Sequence, residues 1–139
     1  KGRITVFGGE QKRPNLHIED MTDLYVRTLK YPDEKIDGKI FNAGYENMKM
    51  KDIATTVKKV VENKLGKKDL EIITSPTDDN RSYHVSSEKI KKELGFIAVR
   101  TVDNAVEDLC DAFKADKIPN SLNDKRYYNI KTMQALDLK

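Results

Sequence analysis

The chain has 139 residues, of which 37% are hydrophobic and 35% are charged, a composition typical of a globular domain and not of a disordered or membrane-spanning segment. Its 26 basic and 23 acidic residues leave a net charge of +3, and the lack of a basic stretch interleaved with aromatic residues disfavours nucleic-acid binding. The single cysteine, Cys110, excludes an internal disulfide and indicates a cytoplasmic protein, and no apolar run approaches the roughly 18 residues of a membrane span.

The first part of the chain predicts a strand, a glycine turn and a helix in that order. Residues 3–7 are apolar enough for a strand, and Gly8 and Gly9 form a turn. Apolar residues then recur at helical spacing over residues 17–30, until Pro32, which cannot continue a helix. Because the strand follows the first residues at once, we expect the chain to be a fragment of a longer protein.

The rest of the chain alternates strands with amphipathic helices. Residues 39–44 and 70–73 predict short strands, and residues 50–65 predict a helix that Gly66 terminates. The elements expected after these are a helix from Ser86 or Ser87 to Gly95, a helix that begins after Thr101, and an extended piece at residues 126–130. This alternation of strand and helix predicts the α/β class.

Arg13 is the strongest candidate for contact with a ligand. It lies between the glycine turn and the first helix, where glycines let a backbone approach a ligand and an arginine offers a planar set of donors to phosphate oxygens. Arg81 is a second candidate, with an alternative explanation in a local ion pair with Asp78 or Asp79. The residues alone therefore support a phosphate-binding hypothesis centred on Arg13.

Other kinds of site are not indicated by the sequence. The two histidines, His17 and His84, and the single Cys110 have no spacing that predicts a metal site. We interpret His17 as a helix cap or a core residue, and Cys110 as a packing residue of its helix. No nucleophile-elbow, P-loop or Gly-x-Gly-x-x-Gly motif is present, so the sequence predicts neither a nucleotide-triphosphate nor a dinucleotide site.

Four segments, taken in order, carry the pattern of a known family. They are a strand ending in glycines (residues 4–9), an Arg-x-x-x-His-x-x-Asp segment (residues 13–20), Phe-Asn-Ala-Gly (residues 41–44), and a stretch ending in Leu-Gly-Phe (residues 81–96). Over residues 2–115 this set resembles the C-terminal half of the extended short-chain dehydrogenase/reductases, the NAD-dependent nucleotide-sugar epimerases and dehydratases. The family usually has an aspartate where Pro14 stands in this chain.

The resemblance implies the C-terminal part of a Rossmann-type α/β fold, with the last strand–helix units of the sheet and a small α/β substrate-binding subdomain. Residues 1–139 are then the substrate-binding portion, and the N-terminal NAD-binding part lies outside the chain. The implied ligand is a nucleotide sugar, linked to UDP, dTDP, GDP or CDP. The implied parent is an NAD(P)-dependent epimerase or dehydratase, and a homodimer.

The resemblance assigns three residues to the substrate. Arg13 takes the position of the family arginine that contacts the pyrophosphate of the sugar nucleotide. A second family arginine aligns with Pro76, so Arg81 is expected to serve from a shifted position. Asp79 keeps the aspartate of that segment.

The resemblance places catalysis outside this chain. Family members use NAD or NADP together with a Tyr-x-x-x-Lys pair, and both the dinucleotide glycines and that pair belong to the preceding half. Three pairs here have the same spacing and are interpreted as chance: Tyr31 with Lys35, Tyr45 with Lys49, and Tyr127 with Lys131. We therefore expect no catalytic residue, no cofactor-binding residue and no metal ligand in this fragment, and no bound NAD or turnover when it is isolated.

A second hypothesis belongs to another class of protein. The chain could be a standalone α/β interaction module that binds a partner protein without catalysis. The glycine fingerprint and a Tyr-x-x-x-Lys pair upstream in the same gene would favour the enzyme. Weak nucleic-acid binding through the lysines ranks last, and it would require a steep dependence on salt.

Overall fold

A computed structural model describes residues 2–79 and 81–137. The strands within these ranges are β1 (Arg3–Phe7), β2 (Lys12–Asn15), β3 (Glu46–Lys49) and β4 (Glu71–Ser75). The helices are α1 (Ile18–Thr28), α2 (Asp33–Ile36), α3 (Met50–Leu65), α4 (Glu88–Leu94), α5 (Val102–Lys114) and α6 (Asn129–Ala135), with a 3-10 turn at Lys125–Tyr127 before α6. None of the described helices is both long and apolar enough to cross a membrane.

The strands form two separate pairs. β1 and β4 are parallel, with Arg3 opposite Glu71 and Phe7 opposite Ser75. β2 and β3 are antiparallel, with Arg13 opposite Met48. Since parallel neighbours need a long crossover, the chain between β1 and β4 carries β2, α1, α2, β3 and α3 before it returns to the sheet. The α/β class predicted from the sequence is confirmed.

Two hydrophobic clusters hold the helices together. The first, which we call the α1–α4 core, consists of Leu24, Ile90, Leu94, Phe96 and Ala98, all buried. The second, the α3–α5 core, consists of buried Val60, Val106 and Cys110, with half-buried Val57, Val61, Leu65 and Val102 packed against it. Cys110 is a buried free thiol in this cluster, which confirms its predicted packing role.

Three helix boundaries follow local signals in the sequence. α3 spans the predicted residues 50–65, and Gly66 ends it in the left-handed conformation at φ 61°. Gly95 ends α4 in the same way, at φ 67°. Thr101 begins α5 with a reciprocal cap, because its Oγ1 accepts from Asn104 N at 3.2 Å while Asn104 Oδ1 accepts from Thr101 N at 3.0 Å.

One predicted strand and one predicted extended piece are wrong. Residues 39–44 lie outside any strand, because no described strand runs beside them; instead Gly44 donates its N–H to Ser87 Oγ at 2.8 Å. Within residues 126–130 only Tyr128 is extended, because Asp124 accepts from Arg126 N at 3.0 Å and closes the 3-10 turn before it, and α6 begins directly after it. The short elements β2, β3 and α2 were not predicted.

Replacing Thr101 with alanine is expected to lower the free energy of unfolding by about 1 kcal/mol, because the α5 N-terminus loses its capping side chain. Urea unfolding measures this difference. Thr55→Ala is the matched control, since Thr55 is exposed inside α3 and its hydroxyl donates only to Lys51 O of the preceding turn, at 2.9 Å. We expect that control to be neutral or slightly stabilising. Equal losses in both variants would contradict the capping role.

Candidate functional site

The glycine turn after β1 is packed against its own chain. Gly8 and Gly9 have φ angles of 75° and 129°, which other residues rarely adopt, and a Cβ on Gly8 would lie 2.6 Å from Thr77 Cγ2. Gly8 N donates to Ser75 O at 2.8 Å, and Gly9 N donates to Gln11 Oε1 at 2.6 Å. Both amides therefore have partners inside the protein, and the absence of a Cβ at Gly8 allows close packing against Thr77.

Arg13 reaches from β2 across to the segment that follows β4. Its Nη1 donates to the carbonyl oxygens of Lys12 at 2.9 Å and of Arg81 at 2.5 Å. Its Nη2 lies 3.2 Å from Asp79 Oδ2, and its Cζ stands 5.0 Å from the centre of the Tyr83 ring. The guanidinium is thus held in one orientation by contacts from four residues.

Arg81 contacts the same carboxylate and the same ring. Its Nε donates to Asp79 Oδ1 at 2.8 Å, its backbone N donates to that oxygen at 3.3 Å, and its Cζ is 5.9 Å from the Tyr83 ring centre. The structure therefore brings together the three residues assigned to the substrate, and their role remains a prediction. We call Arg13, Asp79, Arg81 and Tyr83 the Arg–Asp cluster.

The Arg–Asp cluster carries a net positive charge. The side-chain hydrogen bond from Arg81 lowers the pKa of Asp79 below its ordinary value, so this carboxylate is ionised at neutral pH. One negative and two positive side chains leave one charge unbalanced within the cluster. Such a cluster attracts anions.

A second Asp-x-Arg turn, outside the Arg–Asp cluster, forms the same kind of local ion pair. Arg126 donates from its Nε and Nη2 to Asp124 Oδ2, at 2.9 and 2.6 Å. The ion pair of Arg81 with Asp79 is therefore of a kind that turns form by themselves. What distinguishes the first pair is Arg13, which comes from a strand 66 residues earlier in the chain than Asp79.

The Arg–Asp cluster borders a cleft of about 360 Å³. The apolar lining comes from β1 and from the first turns of α3, and the residues that form it are Ile4, Val6, Phe7, Met50, Ile53, Ala54 and Val57. The polar lining includes Arg13, Asp79, Gln11 and Thr77. A mostly apolar cleft with a few convergent polar groups is the usual form of a small-molecule site.

Tyr83 is a member of this site that the sequence did not single out. It follows Arg81 by two residues, a spacing that puts two side chains on the same side of an extended segment. The ring stands beside both guanidinium groups, an arrangement that stabilises cations. The Asp-x-Arg-x-Tyr spacing is the signal that could have pointed to it.

His17 is a buried helix cap, as predicted. Its Nδ1 accepts from Glu19 N at 3.2 Å, so the ring proton sits on Nε2, which lies 3.2 Å from Asp108 Oδ2 of α5. Its side chain is 2% exposed. His17 therefore links the start of α1 to α5. Within the described residues no group of three or more potential metal ligands converges.

The three Tyr-x-x-x-Lys pairs are engaged in other contacts. Those contacts are Tyr31 Oη to Leu94 O at 3.0 Å, Lys49 Nζ to Glu10 Oε2 at 2.8 Å, and Lys131 Nζ 4.1 Å above the ring of Tyr128. Each of the three pairs thus has a member with a partner outside the pair.

Comparison with known proteins shows which solved structures share this fold. No protein-family model matches the chain, and no curated protein sequence matches it. Among solved structures, L-threonine dehydrogenase from Phytophthora infestans is 14% identical with a TM-score of 0.68, over 83% of this chain and 38% of that one. UDP-N-acetylglucosamine 4-epimerase from Bacillus cereus is 25% identical with a TM-score of 0.63, over 81% and 38%. UDP-glucose 4-epimerase from Bifidobacterium longum, in complex with NAD+ and UDP, is 19% identical with a TM-score of 0.61, over 82% and 36%.

The chain thus has the α/β fold of one part of Rossmann-type epimerase, dehydratase and dehydrogenase chains, and the resemblance stated from the sequence is confirmed at the level of the fold. It spans little more than a third of the length of the structures it matches.

Proposed function

We propose that this chain is the C-terminal, sugar-nucleotide-binding portion of an NAD(P)-dependent nucleotide-sugar epimerase or dehydratase. The observation that carries the proposal is the Arg–Asp cluster at the border of the apolar cleft. The two arginines of the cluster, Arg13 and Arg81, contact the diphosphate of a UDP-, dTDP-, GDP- or CDP-linked sugar, and the cleft takes part of the rest of that ligand.

A diphosphate suits this cluster because its charge and shape match two arginines. Each guanidinium can donate two parallel hydrogen bonds to a phosphate group. Arg13 is fixed by carbonyl groups on one side of its guanidinium, whereas the Arg81 side chain is 74% exposed and can move to the ligand. The pair therefore combines a positioned donor with an adaptable one.

The proposal assigns the nucleotide sugar to this chain and the cofactor to the rest of the full-length protein. The glycine turn has no spare amide for a dinucleotide phosphate, since Gly8 N and Gly9 N both donate within the protein. The two amides of this turn are therefore not available to a dinucleotide phosphate. We assign the cofactor and the proton-transferring residues to the rest of the full-length protein, which we expect to be a cytoplasmic homodimer.

The fold alone does not determine the substrate class, because the matched structures differ in their substrates. One matched structure is an L-threonine dehydrogenase, and two are UDP-sugar epimerases. The two arginines beside the cleft favour a ligand with a diphosphate over a free amino acid, whose single carboxylate needs only one such partner. The alternative of a non-catalytic interaction module predicts no response to either kind of small molecule.

Arg13→Ala is expected to weaken nucleotide-sugar binding by about 1.5–3 kcal/mol, or roughly 10- to 150-fold in Kd, because a charge-assisted phosphate contact is lost. The test is titration of the full-length protein with UDP-, dTDP-, GDP- and CDP-sugars, which should give a saturable response to at least one. Arg126→Ala is the matched control, since Arg126 is an exposed, aspartate-paired arginine that does not line the cleft.

Three outcomes of this titration contradict the proposal. They are no response to any nucleotide sugar, equal weakening by Arg126→Ala and Arg13→Ala, and a saturable response to L-threonine alone. The first of these, together with capture of one defined partner protein, would favour the interaction module.

A further inference from the structure

Asp79 occupies the place between the two arginines where an anionic ligand has to bind. One of its oxygens lies 3.2 Å from Arg13 Nη2, and the other lies 2.8 Å from Arg81 Nε. Asp79 thus gives each guanidinium one carboxylate oxygen, as a phosphate would. In the absence of a ligand the carboxylate therefore neutralises part of the charge on the cluster.

We infer that Asp79 is an internal counter-ion that competes with the diphosphate for Arg13 and Arg81, and so lowers the affinity of this site for its ligand. The inference rests on the proposed function and concerns how that function is regulated. It assigns Asp79 the opposite effect from a residue that binds the substrate directly.

The geometry makes the exchange of partners feasible. The Asp79 side chain is 42% exposed and the Arg81 side chain is 74% exposed, so solvent and ligand reach the ion pair. Within residues 2–79 and 81–137, the Nη1 and Nη2 atoms of Arg81 donate no hydrogen bond, and they can contact phosphate oxygens first. Arg13 keeps its orientation through Lys12 O and Arg81 O when Asp79 moves away.

Repulsion explains why the carboxylate has to give up a partner. A diphosphate placed on both guanidinium groups brings two negative charges to within a few ångströms of Asp79, and like charges at that distance repel. Binding therefore includes the cost of breaking or weakening at least one ion pair. Removing the charge of Asp79 removes that cost and leaves the two arginines available.

Asp79→Asn is therefore expected to tighten binding of the full-length protein to inorganic pyrophosphate and to UDP by about three- to five-fold, the upper part of the range of an exposed ion pair. Titration calorimetry at neutral pH and fixed ionic strength measures both Kd values. Asp78→Asn is the matched control, because it makes the same change in net charge at the adjacent, exposed aspartate. Asp79→Glu, which keeps the charge, should bind as the wild type does.

The titrations of these variants test the inference independently of the proposed function on which it rests. Tighter binding by Asp79→Asn, with Asp78→Asn changed less than two-fold, supports the inference. Weaker binding by Asp79→Asn, or equal tightening by both variants, overturns it, while Arg13→Ala still tests the site itself. Asp79→Ala gives the same comparison if the asparagine variant folds poorly. No binding of either probe by any variant overturns the inference, whereas the proposed function is judged separately by the titration with the four nucleotide sugars.

Discussion

Replacing Asp20 with alanine is expected to lower the free energy of unfolding by about 3 kcal/mol, because a buried carboxylate and its ion pair are lost together. The Asp20 side chain is 4% exposed. Its Oδ2 accepts from the backbone N of Val99 at 3.0 Å and of Arg100 at 2.8 Å, and its Oδ1 accepts from Arg100 Nη1 at 2.7 Å. Asp20 thus fixes the first turn of α1 to the segment that leads into α5. Urea unfolding at neutral pH measures the loss.

A surface aspartate of the same helix is the control for this result. Asp23 pairs with Arg27 at 2.8 Å, but both side chains are about half exposed. We expect Asp23→Asn to cost less than about 0.5 kcal/mol. A comparable loss in the two variants would mean that the burial of Asp20 does not matter.

The same carboxylate gives the stability a pH dependence. Burial by itself raises the pKa of Asp20, but the hydrogen bonds from Arg100 and Val99 outweigh it and hold this pKa below its ordinary 3.8. The folded pKa is below the unfolded one, so the contribution is present above pH 3.8 and lost as the pH falls through the folded pKa. The stability advantage of the wild type over Asp20→Asn should therefore narrow below pH 3.8. If the difference in free energy of unfolding between the wild type and Asp20→Asn does not decrease below pH 3.8, the lowered pKa assigned to Asp20 is wrong.

Replacing Ile90 with alanine is expected to cost about 3–4 kcal/mol, because it leaves a cavity in the α1–α4 core. Ile90 is 1% exposed and packs in a cluster with Leu24 of α1 and with Leu94, Phe96 and Ala98. α4 has seven residues, and such a short helix depends on packing for its stability. Chemical unfolding measures the loss.

Two further substitutions sharpen this test. Ile90→Val, which removes one methyl group, should cost about 1 kcal/mol. Ile97→Ala removes the same atoms as Ile90→Ala from a side chain that is 58% exposed, and it should change stability by less than about 0.5 kcal/mol. Losses of similar size at the two isoleucines would contradict the assignment of the core.

The parts of the fold that the sequence predicts well are those with local determinants. α3 has an apolar period along its whole length and Gly66 at its end, and Thr101 marks the start of α5 through its own capping side chain. β2 and β3 have the sequences Lys-Arg-Pro-Asn and Glu-Asn-Met-Lys, which contain no β-branched or aromatic residue. They are strands because they pair with each other, 31 to 37 residues apart in the chain, and no local pattern contains that pairing.

Three of the four members of the Arg–Asp cluster were predicted from the sequence, whereas Tyr83 and the arrangement of the cluster were not. The resemblance named Arg13, Asp79 and Arg81, and the structure joins them. The sequence left open whether Asp78 or Asp79 pairs with Arg81, because both lie within reach of a short turn. The structure pairs Asp79 with both Arg81 and Arg13, and the contact with Arg13 joins residues 66 positions apart, which no local pattern contains.

The chain segments that the two hydrophobic cores join overlap in the sequence. The α1–α4 core joins residue 24 to residues 90–98, and the α3–α5 core joins residue 60 to residues 106 and 110. A break anywhere from residue 25 to residue 105 therefore puts the two sides of at least one core on different pieces. Two overlapping loops have to close before both cores are complete, and the entropy of closing them opposes assembly from one end. The two cores therefore belong to one folding unit. A chain shortened from either end to a point between residues 25 and 105 would lack one side of at least one core.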